Sequence, residues 1–287
     1  MDDFSLYITV PGRKNRKAAE GKLTDVLGKT EEPAVRLTWI AEGRQAGFSA
    51  IRRIIRYLGR MEKKPGERVL INTVEFGSCP KGFLPLRALS RYRFRIAFRP
   101  ASPGEAEKCF RLAKKLARHN ISHVVHDPDP SDSAWRSWLG SGEYRPAEPF
   151  LDYVKILEGG GPLSCRYRSC LGRTLALDAA GRWSICPYHG NTVRIHDPAD
   201  CETLSEAFQT EEFAALLEKQ IEVRERCAAG CPYYPGCRGG CPLSAGEPCP
   251  EPDLLRALRS AEETGLPPAH PAVREERLNR LAGTFTV

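Results

Sequence analysis

Of the eleven cysteines, eight between Cys165 and Cys249 fall into two groups with the spacing of metal ligands, and Cys201 lies between the groups. The first reads C-x4-C-x15-C through Cys165, Cys170 and Cys186. The second, after a gap of forty residues, reads C-x3-C-x5-C-x3-C-x7-C through Cys227, Cys231, Cys237, Cys241 and Cys249. The chain opens on MDDFSLYITV, which is acidic and reads as a strand rather than a signal peptide. Thiolates this dense in such a chain point to metal more than to disulfides. Eight is also the count that two four-thiolate sites need. Zinc would ask only for tetrahedral sulfur. Iron–sulfur clusters would use the same four cysteines apiece and add redox chemistry.

The residues between the thiols must position them. Leu171 to Tyr188 reads as a hairpin, with strand Thr174–Leu177, turn Asp178–Gly181 and strand Arg182–Ile185 delivering Cys186. The second group, CAAGCPYYPGCRGGCP, places Pro232, Pro235 and Gly236 in the tight turns that let thiolates converge. Between the groups, Thr210 to Arg226 is expected as an amphipathic helix with Phe213, Leu216, Leu217 and Ile221 inward, carrying Cys227 at its end. Its acidic start, Glu211 and Glu212, and basic end, Arg224 and Arg226, suit the helix dipole. Eight thiolates suffice for two sites, so His189 and His196 are expected beside the metal or on the surface.

Together, residues 160 to 250 resemble the SPASM domain, the auxiliary iron–sulfur module of peptide-modifying radical SAM enzymes such as anaerobic sulfatase-maturating enzymes. That pattern is a Cys, then G-x4-C, a gap, C-x2-C-x5-C-x3-C, and a last Cys. Here the first interval of the second group is x3, and the last Cys follows quickly. The resemblance implies two 4Fe–4S clusters with interleaved ligands. Cys165, Cys170, Cys186 and Cys241 would hold the first, and Cys227, Cys231, Cys237 and Cys249 the second. Without Cys165 the first cluster would have an open iron. Zinc remains the alternative metal.

Upstream, short apolar runs alternate with helical stretches, which reads as βα units around a parallel sheet. Strands are expected at Ser5–Val10, Val35–Ile40, Val69–Val74, Tyr92–Phe98, Ser122–Val125 and Tyr153–Leu157, with helices at Gly47–Met61 and Glu105–His119. Ser102-Pro-Gly-Glu105 reads as a capping box, and Asn120 suits a left-handed helix end. The expected fold class is α/β: a shortened partial (β/α) barrel of the radical SAM type, then a small cysteine-rich SPASM module and C-terminal helices. The expected segments are a barrel over 1–158, the module over 159–250, and a helical tail over 251–287.

The resemblance also has departures. The family's C-x3-C-x2-C follows the first strand, but the stretch after Val10 is PGRKNRKAAEGK, without a cysteine. The family's glycine-rich GGEP segment is replaced by Ala41-Glu42-Gly43-Arg44, and Cys79, Cys109 and Cys201 are too far apart to rebuild the missing site. The barrel is therefore expected to be degenerate, with no S-adenosylmethionine cleavage. This implies a non-catalytic companion to an intact radical SAM enzyme, binding a precursor peptide or relaying electrons. Two alternatives stand: an enzyme that uses an open auxiliary cluster for redox or Lewis-acid chemistry, and a zinc-bound interaction module.

Charge adds little to this. The balance of 43 basic to 36 acidic residues, net +7, does not demand nucleic acid. No apolar run approaches a membrane span. A soluble, cytoplasmic protein of a reducing compartment is expected. Arg91, Arg93, Arg95 and Arg99 alternate with Tyr92, Phe94, Ile96 and Phe98, so on a strand they face the other side. That arginine face reads either as a solvated strand face or as a cleft for an acidic peptide, with Arg93 and Arg95 its candidate contacts. Arg13, Lys14, Arg16 and Lys17 read as a basic loop, and Trp135 and Trp138 sit in a loop-rich connector.

Overall fold

The computed structural model describes residues 4–11, 15–30, 34–42, 47–61, 69–82, 94–126, 147–148, 170–189 and 193–231, with single residues at 85, 87, 89, 234, 241 and 243. The expectations for Tyr153–Leu157, Trp135, Trp138, Arg91, Arg93, Cys165, Cys237, Cys249 and the tail over 251–287 lie outside them. The chain forms two compact units: Met1–Ala97 with Cys170–Leu217, and Phe98–Ser169 with Glu218–Val287.

In the first unit the order of elements is β1 (Phe4–Thr9), α1 (Arg16–Lys29), β2 (Ala34–Ala41), α2 (Ser49–Met61), β3 (Val69–Phe76) and β4 (Arg95–Phe98), whose last residue falls in the second unit. The cysteine-rich segment then adds β7 (Thr174–Leu177) and β8 (Trp183–Ser184) to this same sheet. The strand order is β4-β3-β2-β1-β7-β8. β1 pairs in parallel with β2 on one side and β7 on the other, and β2 pairs in parallel with β3. Only β7 and β8 are joined as an antiparallel hairpin among the pairings described.

Register sorts the side chains. Leu6 lies opposite Leu37, and Ile8 opposite Trp39, so these share one face and all are fully or almost fully buried. Helix α1 buries Ala19, Leu23 and Val26, and α2 buries Ile51, Ile54 and Leu58, each set one helical stripe. Trp39 meets Tyr57 of α2 at 5.7 Å, and Phe48 meets Phe76 edge-on at 5.6 Å. On the other face Thr38 lies opposite Tyr7 and Thr73, and Ile40 opposite Thr9 and Glu75.

Helix α1 corrects the sequence reading, which placed its start in a basic loop. Its stripe is only three residues wide and is interrupted by exposed Gly21 and Gly28, and Asn15 makes no side-chain cap. Tertiary anchors replace the missing local signal. Asn15 donates to the Ala179 carbonyl in the hairpin turn, and Lys29 donates to the carbonyls of Pro198, Ala199 and Cys201.

In the second unit, α3 (Pro103–Ala117) precedes β5 (His123–His126), which pairs in parallel with β6 (Ala147–Glu148). The Ser102 hydroxyl accepts from the Glu105 N–H at 3.4 Å, and Glu105 reaches back to the Ala101 N–H at 3.3 Å. That is a capping box displaced by one residue. Asn120 has φ 54°, the left-handed helix end expected of it. α3 starts two residues earlier than expected because Pro103 begins the helix, and Cys109 belongs to its buried stripe.

Helix α4 (Glu211–Gly230) begins under Thr210, whose hydroxyl accepts from the Phe213 N–H at 3.2 Å and donates to the Arg194 carbonyl. Phe213, Leu216 and Gln220 are buried, whereas Leu217 is 38% and Ile221 54% exposed. The expected apolar face is thus rotated. Phe213 stacks on Phe208 at 5.1 Å, which fixes the rotation and gives the inward place one turn past Leu216 to Gln220. The helix also runs beyond Arg226 to Gly230, so that Cys227 is in its last turn.

Candidate metal centre

The hairpin positions two of the expected thiols. Its turn is held by Asp178, whose Oδ1 accepts from the N–H groups of Ala180 at 2.8 Å and Arg182 at 2.9 Å. Its Oδ2 takes the Arg182 guanidinium at 2.8 Å, and Gly181 supplies the φ of 82° that the turn requires. Partial burial pulls the Asp178 pKa up, but the Arg182 N–H and guanidinium and the Ala180 N–H outweigh it and hold the carboxyl below its usual range. Ala176 pairs with Ser184, so continuing the register sets Cys186 opposite Thr174. Cys170 lies one short turn before Thr174, with its carbonyl accepting from the Arg173 N–H at 3.1 Å. Both thiols therefore sit at the same end of the hairpin.

Cys186 is itself fastened. Its carbonyl accepts from the Ser184 hydroxyl at 3.2 Å, and its Sγ accepts from the Tyr188 backbone N–H at 3.4 Å. The Tyr188 hydroxyl donates to Glu75 Oε2 at 2.7 Å, and its ring meets Tyr7 edge-on at 5.8 Å. No cysteine pattern points to Glu75, Tyr7 or Tyr188. The only sequence signal is that Glu75 interrupts an apolar strand.

The second group starts on α4. Cys227 accepts from the Cys231 N–H at 2.8 Å, one helical turn on, so their side chains leave the same face of the helix end. Tyr234 N–H then donates to the Cys231 carbonyl at 3.2 Å as the chain turns.

Cys170, Cys186, Cys227, Cys231 and Cys241 are all of intermediate burial and outside disulfides. Half-buried sulfur, at Cys186 with a backbone N–H on Sγ, is the donor chemistry that zinc or an iron–sulfur cluster uses. The donor type of these residues suits such a group. Among the described residues no three His, Cys, Asp or Glu side chains lie close enough together to hold a metal ion. His196 is exposed, with Nε2 3.2 Å from the Gln209 carbonyl, and His189 is exposed as well. Cys201 lies in a cavity of about 350 Å³ with His196, Asp197, Asp200, Glu206 and Gln209. Arg95 is half-buried on β4 between buried Phe94 and Ile96, as the alternation implies, and its Nε is buried without a hydrogen-bond partner.

No protein-family profile and no curated protein sequence matches the chain. Solved structures do. The chain is similar to the structure described as "Native anSMEcpe with bound AdoMet", with a TM-score of 0.58 and 12% identity over 98% of this chain and 97% of that one. For "Native anSMEcpe with bound AdoMet and Kp18Cys peptide" the TM-score is 0.59, with 12% identity over 99% of this chain and 98% of that one. The chain has the fold of anSMEcpe. That protein is an anaerobic sulfatase-maturating enzyme of the radical SAM and SPASM type. The expected fold class, an α/β chain of the radical SAM partial-barrel type, is the observed one. Among the described residues no helix is long and apolar enough to cross a membrane.

Proposed function

We propose that this chain is a non-catalytic iron–sulfur companion in a peptide-maturation system. One observation carries the reading. The fold extends over 98% of the chain, yet the stretch from Val10 to Asn15 that joins β1 to α1 contains no cysteine. In the resembled family that stretch holds the cluster that cleaves S-adenosylmethionine. A chain without those ligands has no thiolates there to present an open iron.

Eight of the nine cysteines of the second half, all but Cys201, are assigned to two 4Fe–4S clusters: Cys165, Cys170, Cys186 and Cys241 for one, Cys227, Cys231, Cys237 and Cys249 for the other. Such clusters supply one-electron transfer when bound. The chain's own contribution is to hold the thiols in fixed backbone. The Asp178 turn and the Tyr188 contacts do so for Cys186, and the end of α4 does so for Cys227 and Cys231.

The partner is an intact radical SAM enzyme or its precursor peptide. Related structures are described with bound peptides. A peptide with acidic residues would suit Arg95, whose Nε has no partner of its own.

The test is a turnover assay on anaerobically prepared protein. With reductant and S-adenosylmethionine, this chain alone should yield no 5′-deoxyadenosine above a buffer control. Pull-down from the native host should recover a partner, and Arg93→Gln with Arg95→Gln should weaken that capture. Robust 5′-deoxyadenosine formation by the chain alone overturns the proposal.

A further inference from the structure

Cys186 is followed by Pro187, which has no N–H, so the first backbone donor after the thiol is that of Tyr188. That N–H is on the Cys186 Sγ, at 3.4 Å. The Tyr188 side chain is held from the sheet as well. The Tyr188 ring rests edge-on against Tyr7 of β1 at 5.8 Å, with an interplanar angle of 76°. Its hydroxyl ends on Glu75 of β3 at 2.7 Å. Glu75 is 6% exposed and is fixed in register opposite Ile40, in the interior of the parallel sheet. A carboxylate placed there costs free energy unless it is bonded, and a tyrosine hydroxyl is a strong partner for it. The sheet thus reaches through one side chain to the backbone amide that touches the sulfur.

We infer that Glu75 and Tyr188 are positioning residues for Cys186: their hydrogen bond holds the Tyr188 N–H on the sulfur and so tunes the cluster that this sulfur ligates. The inference rests on the iron–sulfur reading for its redox consequence, though not for its geometry. A backbone N–H on a ligating sulfur stabilises the more negative, reduced state and raises the potential. Among the described residues, this strap is seen at Cys186.

Two measurements test it. The first uses metal-free protein and reads hydrogen exchange at the Tyr188 amide. Tyr188→Phe keeps the ring and the amide but removes the hydroxyl, and Glu75→Leu removes the acceptor. Each should speed exchange at this amide about tenfold, the factor expected for a hydrogen bond to a charged acceptor. Glu75→Gln, whose amide oxygen still accepts, should retain the wild-type rate. The second uses cluster-loaded protein: in Tyr188→Phe one of two potentials should shift lower, with iron content unchanged. Wild-type exchange in Tyr188→Phe, or two unshifted potentials, overturns the inference. If wild-type protein takes up no iron, the cluster reading fails by itself, and amide exchange still decides whether Glu75 and Tyr188 position Cys186.

Discussion

Three single residues fasten the first unit through contacts that local patterns do not announce. Lys29 gives its ammonium to three carbonyls of the 198–201 loop, which leaves no donor idle. Lys29→Met keeps the aliphatic stem and strands those carbonyls, and should cost about 1–3 kcal/mol, read as a lower Tm. Lys22 pairs with Asp197 at 2.7 Å, both about a third exposed, so the pair itself contributes little. Its pH dependence is still informative. Burial pulls Asp197 up, but Lys22 and the Ala199 N–H outweigh it and hold the carboxyl below its usual value of 3.8. A depressed carboxylate contributes stability above its unfolded pKa and loses it as pH falls through the folded one. The Tm difference between wild type and Lys22→Met should therefore be constant at neutral pH, shrink as pH falls below 3.8 and vanish below the lowered folded pKa. Cys201 behaves oppositely. Desolvation, with the Glu206 charge beside it, raises its pKa, so it should react slowly with iodoacetamide at pH 8. Mass spectrometry after alkylation distinguishes it from an ordinary exposed thiol.

Elements were legible where their signal was local. The box at Ser102 and Glu105, the left-handed Asn120 and the hairpin at Asp178–Gly181 all form where residue chemistry puts them. Ser102→Ala should cost about 1 kcal/mol, the usual value of an N-cap side chain, with urea unfolding as the readout. Strands β1, β2 and β3 were found to within two residues because parallel strands read as dense apolar runs. Helix α1 was missed, since its stripe of Ala19, Leu23 and Val26 is thin and its anchors, Lys22 and Lys29, bond to residues more than 160 positions away. The face of α4 was misjudged for a related reason. Periodicity allowed both Leu217 and Gln220 inward, and packing of Phe213 on Phe208 chose Gln220. The candidate site divides the same way. Thiol spacing pointed to Cys170, Cys186, Cys227 and Cys231 directly, but Tyr188 and Glu75 are 113 positions apart and only the sheet register unites them.

At the scale of the molecule, the α/β class and the radical SAM partial-barrel fold followed from alternating elements and a cysteine pattern. The structural likeness bears out that fold at 12% identity. Function is a separate matter, because one fold carries many sites. The central claim is that eight of the cysteines between Cys165 and Cys249, all but Cys201, hold two clusters in a barrel that lacks a third. Iron, sulfide and zinc analysis of protein prepared anaerobically from its native host tests this most directly. The account predicts brown protein with about eight iron and eight sulfide per chain, four of each for every cluster. Replacing Cys237 should remove roughly half of both, since each cluster takes four thiolates. Stoichiometric zinc without sulfide would contradict it.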